Sequence, residues 1–249
     1  MPTATLPENW FESWFDSPYY HILYRHRDTR DAQAFMSRLI DELPLLPKQK
    51  VLDLACGKGR HSIYLNERGL DVMGVDLSEN NITHAKQFEN DRLRFRVHDM
   101  REQLKEVSFD VILNLFTSFG YFSTEAENQQ SIQAAVNALR PDGVFLLDFL
   151  NPDYVIANLQ ETETKEYEGI TFQIQRKIEN GFIVKDIRFE DKKEEYHFQE
   201  RVKAISLAQF KQYFEESGLT IQYVWGDYEL STFSAQSSPR LIVVGKKKA

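Results

Sequence analysis

The sequence predicts a doubly wound α/β fold with a mostly parallel seven-stranded sheet and an inserted antiparallel β subdomain. Between residues 50 and 150, short apolar runs of strand length alternate with segments whose apolar residues recur at helical spacing. This alternation is typical of a parallel sheet with right-handed crossovers. From residue 161 to residue 205, apolar and polar residues instead alternate one by one, as in antiparallel strands. We therefore predict one domain of four consecutive parts: an N-terminal helical cap (1–48), a ligand-binding core (49–160), the antiparallel insertion (161–205), and a helix and β-hairpin that complete the sheet (206–249).

The composition excludes several kinds of protein. Hydrophobic residues make up 42% of the chain and charged residues 27%, which is typical of a folded domain. The 30 basic and 38 acidic residues give a formal net charge of −8, which disfavours binding to nucleic acid. No apolar run is long enough to cross a membrane and the first residues lack a secretory pattern, so we expect a cytoplasmic protein without membrane contacts. The single cysteine, Cys56, cannot form an intramolecular disulfide or a multi-thiolate metal site, and no metal is expected.

The first predicted elements are a helix and a strand. The chain from residue 9 to residue 43 is rich in aromatic residues and then places apolar residues at spacings of three and four, which predicts a helix. Pro44 ends it, and a short apolar run of strand length follows at 51–55. Gly57 and Gly59 then turn the chain into a second helix.

Four more strands are predicted in the core. The run 109–116 is apolar enough to be buried on both faces, as a central strand of a parallel sheet is. Ser78 is expected to cap a helix from about 79 to 89, and Pro141 ends a helix that begins at residue 125. The four strands are 70–76, 93–99, 109–116 and 144–150.

The insertion and the C-terminal part are predicted from alternation and from caps. The segment 179-ENG-181 is a hairpin turn signal between alternating runs. A serine and a glycine bound a helix over 206–218, and the segments 219–230 and 240–246 look like two final strands. We expect the insertion to form a lid or an oligomer contact, in a monomer or a homodimer. The alternating runs of the insertion are 170–178, 181–190 and 194–205.

The glycine turn in 51-VLDLACGKG-59 predicts a ligand site. Glycines between a strand and a helix let backbone N–H groups approach an anionic ligand at the helix N-terminus. Dinucleotide-binding proteins have a third glycine in this pattern, but Ser62 takes its place here. Asp53 precedes the glycines and Asp76 closes the second strand, where an acid can accept both hydroxyls of a ribose. Because a carboxylate beside a pyrophosphate would be repulsive, the pair favours a nucleoside with an amino-acid tail.

Four stretches together resemble one family. The glycine segment, 74-GVDLS-78, 98-HDM-100 and 114-NLFTSFGY-121 are similar to the class I S-adenosylmethionine (SAM)-dependent methyltransferases, small-molecule type. The resemblance covers most of residues 50 to 150. It implies SAM as the cofactor of the core, S-adenosylhomocysteine as the product, and a Rossmann-like sheet whose last strand lies antiparallel beside the fifth.

Carried over residue by residue, the resemblance implies a cofactor site with several parts. The first loop would surround the methionine part of SAM, while Asp76 and Leu77 would hold the ribose and the edge of adenine. Asp99 would accept from the adenine amino group, Met100 would pack on the ring, and residues 114–116 would line the floor near the sulfonium. Strand-end capping is the alternative for the aspartates, and core packing is the alternative for the apolar residues. The full predicted cofactor-binding set is Asp53, Ala55, Gly57, Gly59, Asp76, Leu77, Asp99, Met100, Asn114, Phe116, Tyr24 and Arg60.

The acceptor side is predicted from position in the chain. In SAM-dependent transfer the protein mainly binds and aligns the two substrates, and a general base is needed only for some acceptors. We predict Tyr121, directly after the fourth strand, and Tyr20, in the N-terminal segment, as catalytic candidates. Further candidates for the acceptor pocket are Arg60, His61, His21 and Arg27, with a surface position or ordinary packing as the alternative.

The predicted function is methyl transfer from SAM to an unidentified small molecule. An NAD(P)-dependent oxidoreductase is the alternative suggested by the glycine spacing and Asp76. A catalytically degenerate SAM-binding protein is a third possibility, because the sequence shows no evident base. A nucleic-acid or protein methyltransferase is disfavoured by the net charge of −8 and by the lack of a peptide-binding motif.

Overall fold

Two β-sheets and eight α-helices form the protein in a computed structural model that describes residues 10–25, 29–105 and 108–248. The helices are α1 (Trp10–Phe15), α2 (Pro18–Leu23), α3 (Thr29–Glu42), α4 (Arg60–Glu67), α5 (Glu79–Ala85), α6 (Glu125–Ala138), α7 (Pro152–Ala157) and α8 (Leu207–Glu216), and a 3-10 helix (Lys86–Phe88) follows α5. The strands are β1 (Lys50–Leu54), β2 (Asp71–Asp76), β3 (Leu93–Val97), β4 (Phe109–Asn114), β5 (Leu139–Leu150), β6 (Thr162–Tyr167), β7 (Ile170–Glu179), β8 (Phe182–Asp191), β9 (Glu194–Lys203), β10 (Leu219–Trp225) and β11 (Arg240–Lys247). No helix in these ranges is long and apolar enough to cross a membrane.

The large sheet has seven strands in the order β10-β11-β5-β4-β1-β2-β3. The strand β11 runs antiparallel to both of its neighbours, whereas the pairs from β5 to β3 are parallel. The predicted seven-stranded, mostly parallel sheet is confirmed, and so is the reversed last strand beside the fifth. Because β1 and β4 lie inside the sheet, their apolar side chains are buried on both faces.

Helices cover both faces of the large sheet. Successive side chains of a strand point to opposite faces, so Val51 packs in the cluster of α3, α4 and α5 and Leu52 in the cluster of α6 and α8. The helix α3 contributes Phe35 and Leu39, and α8 contributes Phe210, all with 0% exposure. The result is a three-layer α/β core.

The small sheet has the order β6-β7-β8-β9 and is antiparallel throughout. Its apolar face packs on the N-terminal helices: Phe172 and Ile187 are fully buried in one cluster with Trp14 of α1 and Leu23 of α2. The alternation of the insertion therefore reflects burial against this chain's own N-terminal segment.

The N-terminal segment divides into two parts, which differs from the prediction of a single cap over residues 1–48. The helices α1 and α2 are held to β9, because Trp14 Nε1 donates to Glu200 Oε1 at 2.7 Å and the Tyr24 hydroxyl donates to the same oxygen at 2.6 Å. The helix α3 instead packs on the large sheet, because its apolar stripe contacts the apolar residues on one face of the strands.

Most other boundaries lie within a few residues of the prediction, with four exceptions. One is β10, which ends at Trp225 rather than at residue 230. The turn after β7 has φ of 51° at Asn180 and 78° at Gly181, which confirms the hairpin signal. The strand β6 and the helix α7 were not expected; β6 is an edge strand with no fully buried residue and so has no apolar periodicity. The strand β5 begins at Leu139 rather than at residue 144, because Leu139 already pairs with Phe109.

Two glycines leave room for one aromatic ring. A Cβ at Gly59 would lie 2.6 Å from Phe95 Cζ, and a Cβ at Gly74 would lie 2.6 Å from Phe95 Cδ1. The ring of Phe95, on β3, is 4% exposed and fills the space between the start of α4 and β2. Close packing of α4 on the sheet therefore requires glycine at both positions.

We predict that Gly74→Ala lowers the free energy of unfolding by about 1–3 kcal/mol, because the added methyl group overpacks the core against Phe95. Urea denaturation of the variant and of the wild type measures the difference. In a chain that also carries Phe95→Leu, the same glycine substitution is expected to have a smaller effect. Equal effects in the two backgrounds would show that the ring is not the cause.

Candidate active site

A cavity of about 860 Å³ opens at the carboxyl edge of the large sheet. Its walls come from the segments that follow β1, β2, β3 and β4 and from the helices α1 and α2. In open α/β sheets ligands bind at this edge, and the volume suits a cofactor-sized molecule. Three of the aspartates that line it, Asp53, Asp76 and Asp99, lie within two residues of the end of a strand.

The loop between β1 and α4 shapes one wall of the cavity. Ala55 and Gly57 line it, and both have a left-handed backbone, with φ of 58° and 56°. A Cβ placed on Gly57 would meet nothing within 4 Å, so this glycine leaves open space for a ligand beside its backbone. Gly59 does not line the cavity; its missing side chain serves the packing of Phe95, which differs from the predicted ligand role. Cys56 also lines the wall, and burial raises the pKa of its thiol well above the usual range.

Asp76 is held by backbone amides at the start of the cavity. Gly57 N–H donates to Oδ2 at 2.8 Å, and Ser78 N–H donates to Oδ1 at 2.9 Å. Burial raises the pKa of Asp76 above its usual value, and these two hydrogen bonds counteract the rise. The carboxylate is therefore fixed in position before any ligand arrives.

Asp53 is the most buried acid of the site. Its side chain is 1% exposed and accepts a hydrogen bond from Ser62 Oγ at 2.6 Å. Burial raises its pKa to about 7, in spite of the hydrogen bond from Ser62. A carboxyl group in this state gains from a cationic ligand that would neutralise its buried charge.

Asp99 and Met100 follow β3 and line the same cavity. Arg101 donates to both carboxylate oxygens of Asp99, the shortest contact being 2.6 Å, and also pairs with Glu127 at 3.0 Å. Partial burial raises the pKa of Asp99, but the hydrogen bonds from Arg101 outweigh it and leave the pKa below its usual value. Asp99 is thus a charged, oriented hydrogen-bond acceptor.

Aromatic residues from the N-terminal segment and from the loop after β4 form another wall of the cavity. Tyr20, Tyr24 and Tyr121 all line the cavity, so the N-terminal segment and the loop after β4 meet there. The Tyr121 hydroxyl donates to the carbonyl oxygen of Thr117, and its ring lies 5.2 Å from that of Phe15. The proton of Tyr121 is therefore engaged in this hydrogen bond.

Arg60, His61 and Phe116 all line the cavity and stack on one another. The His61 and Phe116 rings are parallel within 4° at 4.8 Å, and the Arg60 guanidinium lies 5.3 Å from the centre of the Phe116 ring. Arg60 is 3.2 Å from His61 Nε2, and because arginine only donates, that nitrogen carries no proton. Burial, reinforced by Arg60, lowers the pKa of His61 to about 3, so the imidazole is neutral.

The loop after β4 has a strained backbone. Phe116 and Thr117 are consecutive residues with φ of 57° and 59°, a conformation that costs on the order of 1–3 kcal/mol for each non-glycine residue. The buried Asp148 of β5 accepts from the Phe116 N–H at 2.8 Å through Oδ2. The hydrogen bond from the Phe116 N–H to Asp148 thus holds the strained loop in place at the cavity wall.

Not every predicted residue reaches the cavity. Asn114 does not line it: the side chain is 1% exposed, and Nδ2 donates to the Leu54 carbonyl oxygen at 3.2 Å, so it joins β4 to β1. Arg27 lies outside the described residues. The other predicted residues, apart from Gly59, line the cavity wall, and their roles in binding stay predictions.

Other residues at the cavity were not singled out from the sequence. Asp16, between α1 and α2, accepts from Asn80 Nδ2 at 2.6 Å and from the Ser78 hydroxyl, so it ties the N-terminal helices to the loop after β2. Lys58 also lines the cavity, and so does His21, which was a candidate from the sequence. An aspartate in a short turn between aromatic helices shows no periodic signal, and only its distant partners reveal its role. Within the three described ranges, no cluster of three or more potential metal ligands occurs.

Comparison with known proteins gives matches over much of the chain. A family model described as a methyltransferase domain matches residues 51–143. An uncharacterized methyltransferase of Synechocystis sp. is 30% identical over 170 residues, which cover 62% of this chain and 78% of that protein. A glycine/sarcosine N-methyltransferase of Aphanothece halophytica is 30% identical over 156 residues, which cover 60% of this chain and 55% of that protein. The structure of SAM-bound CalS10, an amino pentose methyltransferase from Micromonospora echinaspora, has a TM-score of 0.70 and 21% identity and covers 93% of this chain and 97% of that chain.

The raised pKa of Asp53 predicts a specific pH dependence of stability. Between the unfolded value of 3.8 and the folded value of about 7, the folded protein holds a proton that the unfolded chain has lost, so rising pH destabilises the fold across this range. Asp53→Asn removes this contribution, because the amide does not titrate.

Urea denaturation of the ligand-free proteins at pH values from 4.5 to 8 tests this prediction. The free energy of unfolding of the wild type, relative to that of Asp53→Asn, is expected to fall by on the order of 2–4 kcal/mol between pH 4.5 and pH 7 and then to level off. A difference that stays constant over the whole range would contradict the assigned burial effect.

Proposed function

Because the chain belongs to the class I SAM-dependent methyltransferase superfamily, we propose that it transfers the methyl group of SAM to a nitrogen atom of a small molecule. The observation that carries the assignment of the site is Asp76, which two backbone N–H groups fix beside the open space over Gly57. A carboxylate held in this way has free lone pairs for the two hydroxyls of a ribose.

The remaining groups of SAM match further residues of the cavity. The ammonium group would neutralise the carboxylate of Asp53, whose pKa is raised to about 7 by burial. Asp99, oriented by Arg101, would accept from the adenine amino group, and Met100 would pack against the ring. The open space over Gly57 would admit the chain that joins the ammonium to the sulfur.

SAM, when bound, supplies a methyl group on a positively charged sulfur. The residues of the chain bind the two substrates, exclude water and align the acceptor, and alignment alone contributes several orders of magnitude in rate. Transfer to a neutral amine moves the positive charge from sulfur to nitrogen without a prior proton loss, so no strong base is required. The rings of Tyr20 and Tyr121 line the same cavity and suit this charge, because aromatic rings attract cations.

Nitrogen as the acceptor atom is supported by relatives. The Aphanothece halophytica protein is a glycine/sarcosine N-methyltransferase, and CalS10 is an amino pentose methyltransferase. Tyr121 and Tyr20 remain the candidates for contact with the acceptor, since both lie on the aromatic wall. The neutral His61 offers a further hydrogen bond without adding charge.

The partners proposed for this protein are small molecules. The net charge of −8 disfavours nucleic acid, and the cavity volume of about 860 Å³ suits a cofactor together with a small acceptor. We propose a cytoplasmic enzyme that acts as a monomer or a homodimer. The apolar face of the small sheet packs on α1 and α2, so a homodimer through this sheet would use its other face or its edge strands.

Binding of S-adenosylhomocysteine is expected to depend on Asp76. Replacing the carboxylate by Asp76→Asn removes charge-assisted hydrogen bonds to the ribose, so the dissociation constant is expected to rise by about 10–100-fold. Isothermal titration calorimetry measures it. Asp71→Asn is the matched control, because it makes the same change at the opposite end of the same strand and is expected to leave affinity unchanged. Absence of binding by the wild type, or equal binding by Asp76→Asn, would refute the cofactor assignment.

A panel of small acceptors tests the proposed nitrogen transfer. Glycine, sarcosine and amino sugars are incubated with SAM and protein, and mass spectrometry detects the methylated product together with S-adenosylhomocysteine. Glycolate is the matched control for glycine, because it replaces the amine by a hydroxyl. We expect turnover with at least one amine and none with its hydroxyl counterpart. Turnover of hydroxyl or thiol compounds alone would overturn the nitrogen assignment, and binding of SAM without any turnover would indicate a SAM-binding protein.

A further inference from the structure

We propose that Asp148 and Arg240 are positioning residues for methyl transfer, an inference that rests on the proposed function. They hold the loop after β4 so that Phe116 presents its ring to the cavity and to His61. Neither residue lines the cavity itself. They belong to β5 and β11, the antiparallel pair at the side of β4.

Asp148 is the centre of the contact. Its side chain is 0% exposed, and Oδ2 accepts from the Phe116 N–H at 2.8 Å and from the Tyr228 hydroxyl at 3.2 Å. The backbone carbonyl oxygen of Asp148 accepts from the Thr117 N–H at 3.2 Å. Two consecutive amides of the strained loop are therefore held by one residue of the neighbouring strand.

Arg240 completes the arrangement from the first position of β11. Its Nε and one terminal nitrogen donate to Asp148 Oδ1 at 2.8 and 2.7 Å, and the same terminal nitrogen donates to Thr117 Oγ1 at 2.9 Å. The guanidinium lies 5.4 Å from the centre of the Tyr228 ring, and that ring packs 5.2 Å from the Phe116 ring. Arg240 thus neutralises the buried carboxylate and touches the loop directly.

The arrangement bears on catalysis through the backbone of the loop. Phe116 and Thr117, with φ of 57° and 59°, would relax toward an ordinary conformation if their hydrogen bonds were lost. Relaxation would turn the Phe116 ring away from His61, with which it is parallel within 4°. A displacement of about 1 Å in a group that aligns a substrate lowers the rate by roughly 100-fold. Asp148 of β5 and Arg240 of β11 thus set the geometry of the cavity wall beside Phe116 and His61.

The decisive variant is Arg240→Met, which keeps the length of the side chain and removes its charge and donors. Hydrogen exchange resolved to single amides by NMR is expected to be at least about 10-fold faster at Phe116 and Thr117, with the small sheet unchanged. Turnover with the best acceptor of the panel is expected to fall by about 10–100-fold, while the dissociation constant of S-adenosylhomocysteine stays within about threefold. A loss of overall folding would instead change affinity and exchange everywhere.

Two further variants and a control keep the test sharp. Arg240→Lys retains the charge and one donor and is expected to recover part of the turnover. Thr117→Val removes only the hydroxyl that accepts from Arg240, so it tests the contact even where Arg240→Met fails to fold. The control, Arg140→Met, makes the same change in an ion pair with Asp110 at the other end of the large sheet. It is expected to alter neither local exchange nor turnover.

The outcomes separate this proposal from the proposed function. Wild-type exchange at Phe116 and Thr117 in both Arg240→Met and Thr117→Val would overturn the positioning role and leave the methyltransferase function standing. Faster exchange without a fall in turnover would also overturn it. A wild-type protein that binds no S-adenosylhomocysteine would refute the function, and this inference with it.

Discussion

The site depends on the register of β1, β2 and β4, which makes these three parallel strands end side by side at one edge of the sheet. Leu54, the last residue of β1, pairs with Val75 on one side and with Asn114 on the other, so three parallel strands release the chain at one edge. The buried Asn114 reinforces this register by donating to the Leu54 carbonyl oxygen. The loops that follow can then reach each other, and the Gly57 N–H meets the Asp76 carboxylate at 2.8 Å. A shift of one residue in either pairing would separate these groups.

The two halves of the cavity differ in chemistry because different parts of the fold supply them. The half beside β1, β2 and β3 contains fixed carboxylates, which suit the cationic and hydroxyl groups of a nucleoside with an amino-acid tail. The half beside α1, α2 and the loop after β4 contains aromatic rings and a neutral histidine, which suit a small acceptor and a migrating positive charge. Glu200 of β9 accepts hydrogen bonds from Trp14 and Tyr24, so the small sheet holds these two aromatic residues of the N-terminal segment in place. The insertion thereby acts on the site without lining it.

Local patterns accounted for much of the fold and for the acids and the glycine loop on one side of the cavity. The β1–loop–α4 unit is contiguous, so the positions of Asp53 and Gly57 followed from the strand and the glycine turn. Gly59 was assigned to the ligand, but its missing Cβ makes room for Phe95, a residue of another strand. The edge strand β6 was missed, since a strand without buried side chains has no apolar periodicity.

The sequence by itself determined the alternation of strands and helices in the core and the acids at the strand ends, because both depend on periodicity or on neighbours along the chain. The reversed last strand was expected only from the resemblance to a known family. Only the tertiary structure decided which distant groups meet. Arg240 reaches Asp148 across 92 positions and Glu200 reaches Trp14 across 186. Contacts of this kind arise from the order of strands in the sheet and from packing against the N-terminal helices. No pattern of residues close together in the sequence predicts them. The acceptor half of the site consists largely of such contacts, which is the physical reason that its support was found only in the structure.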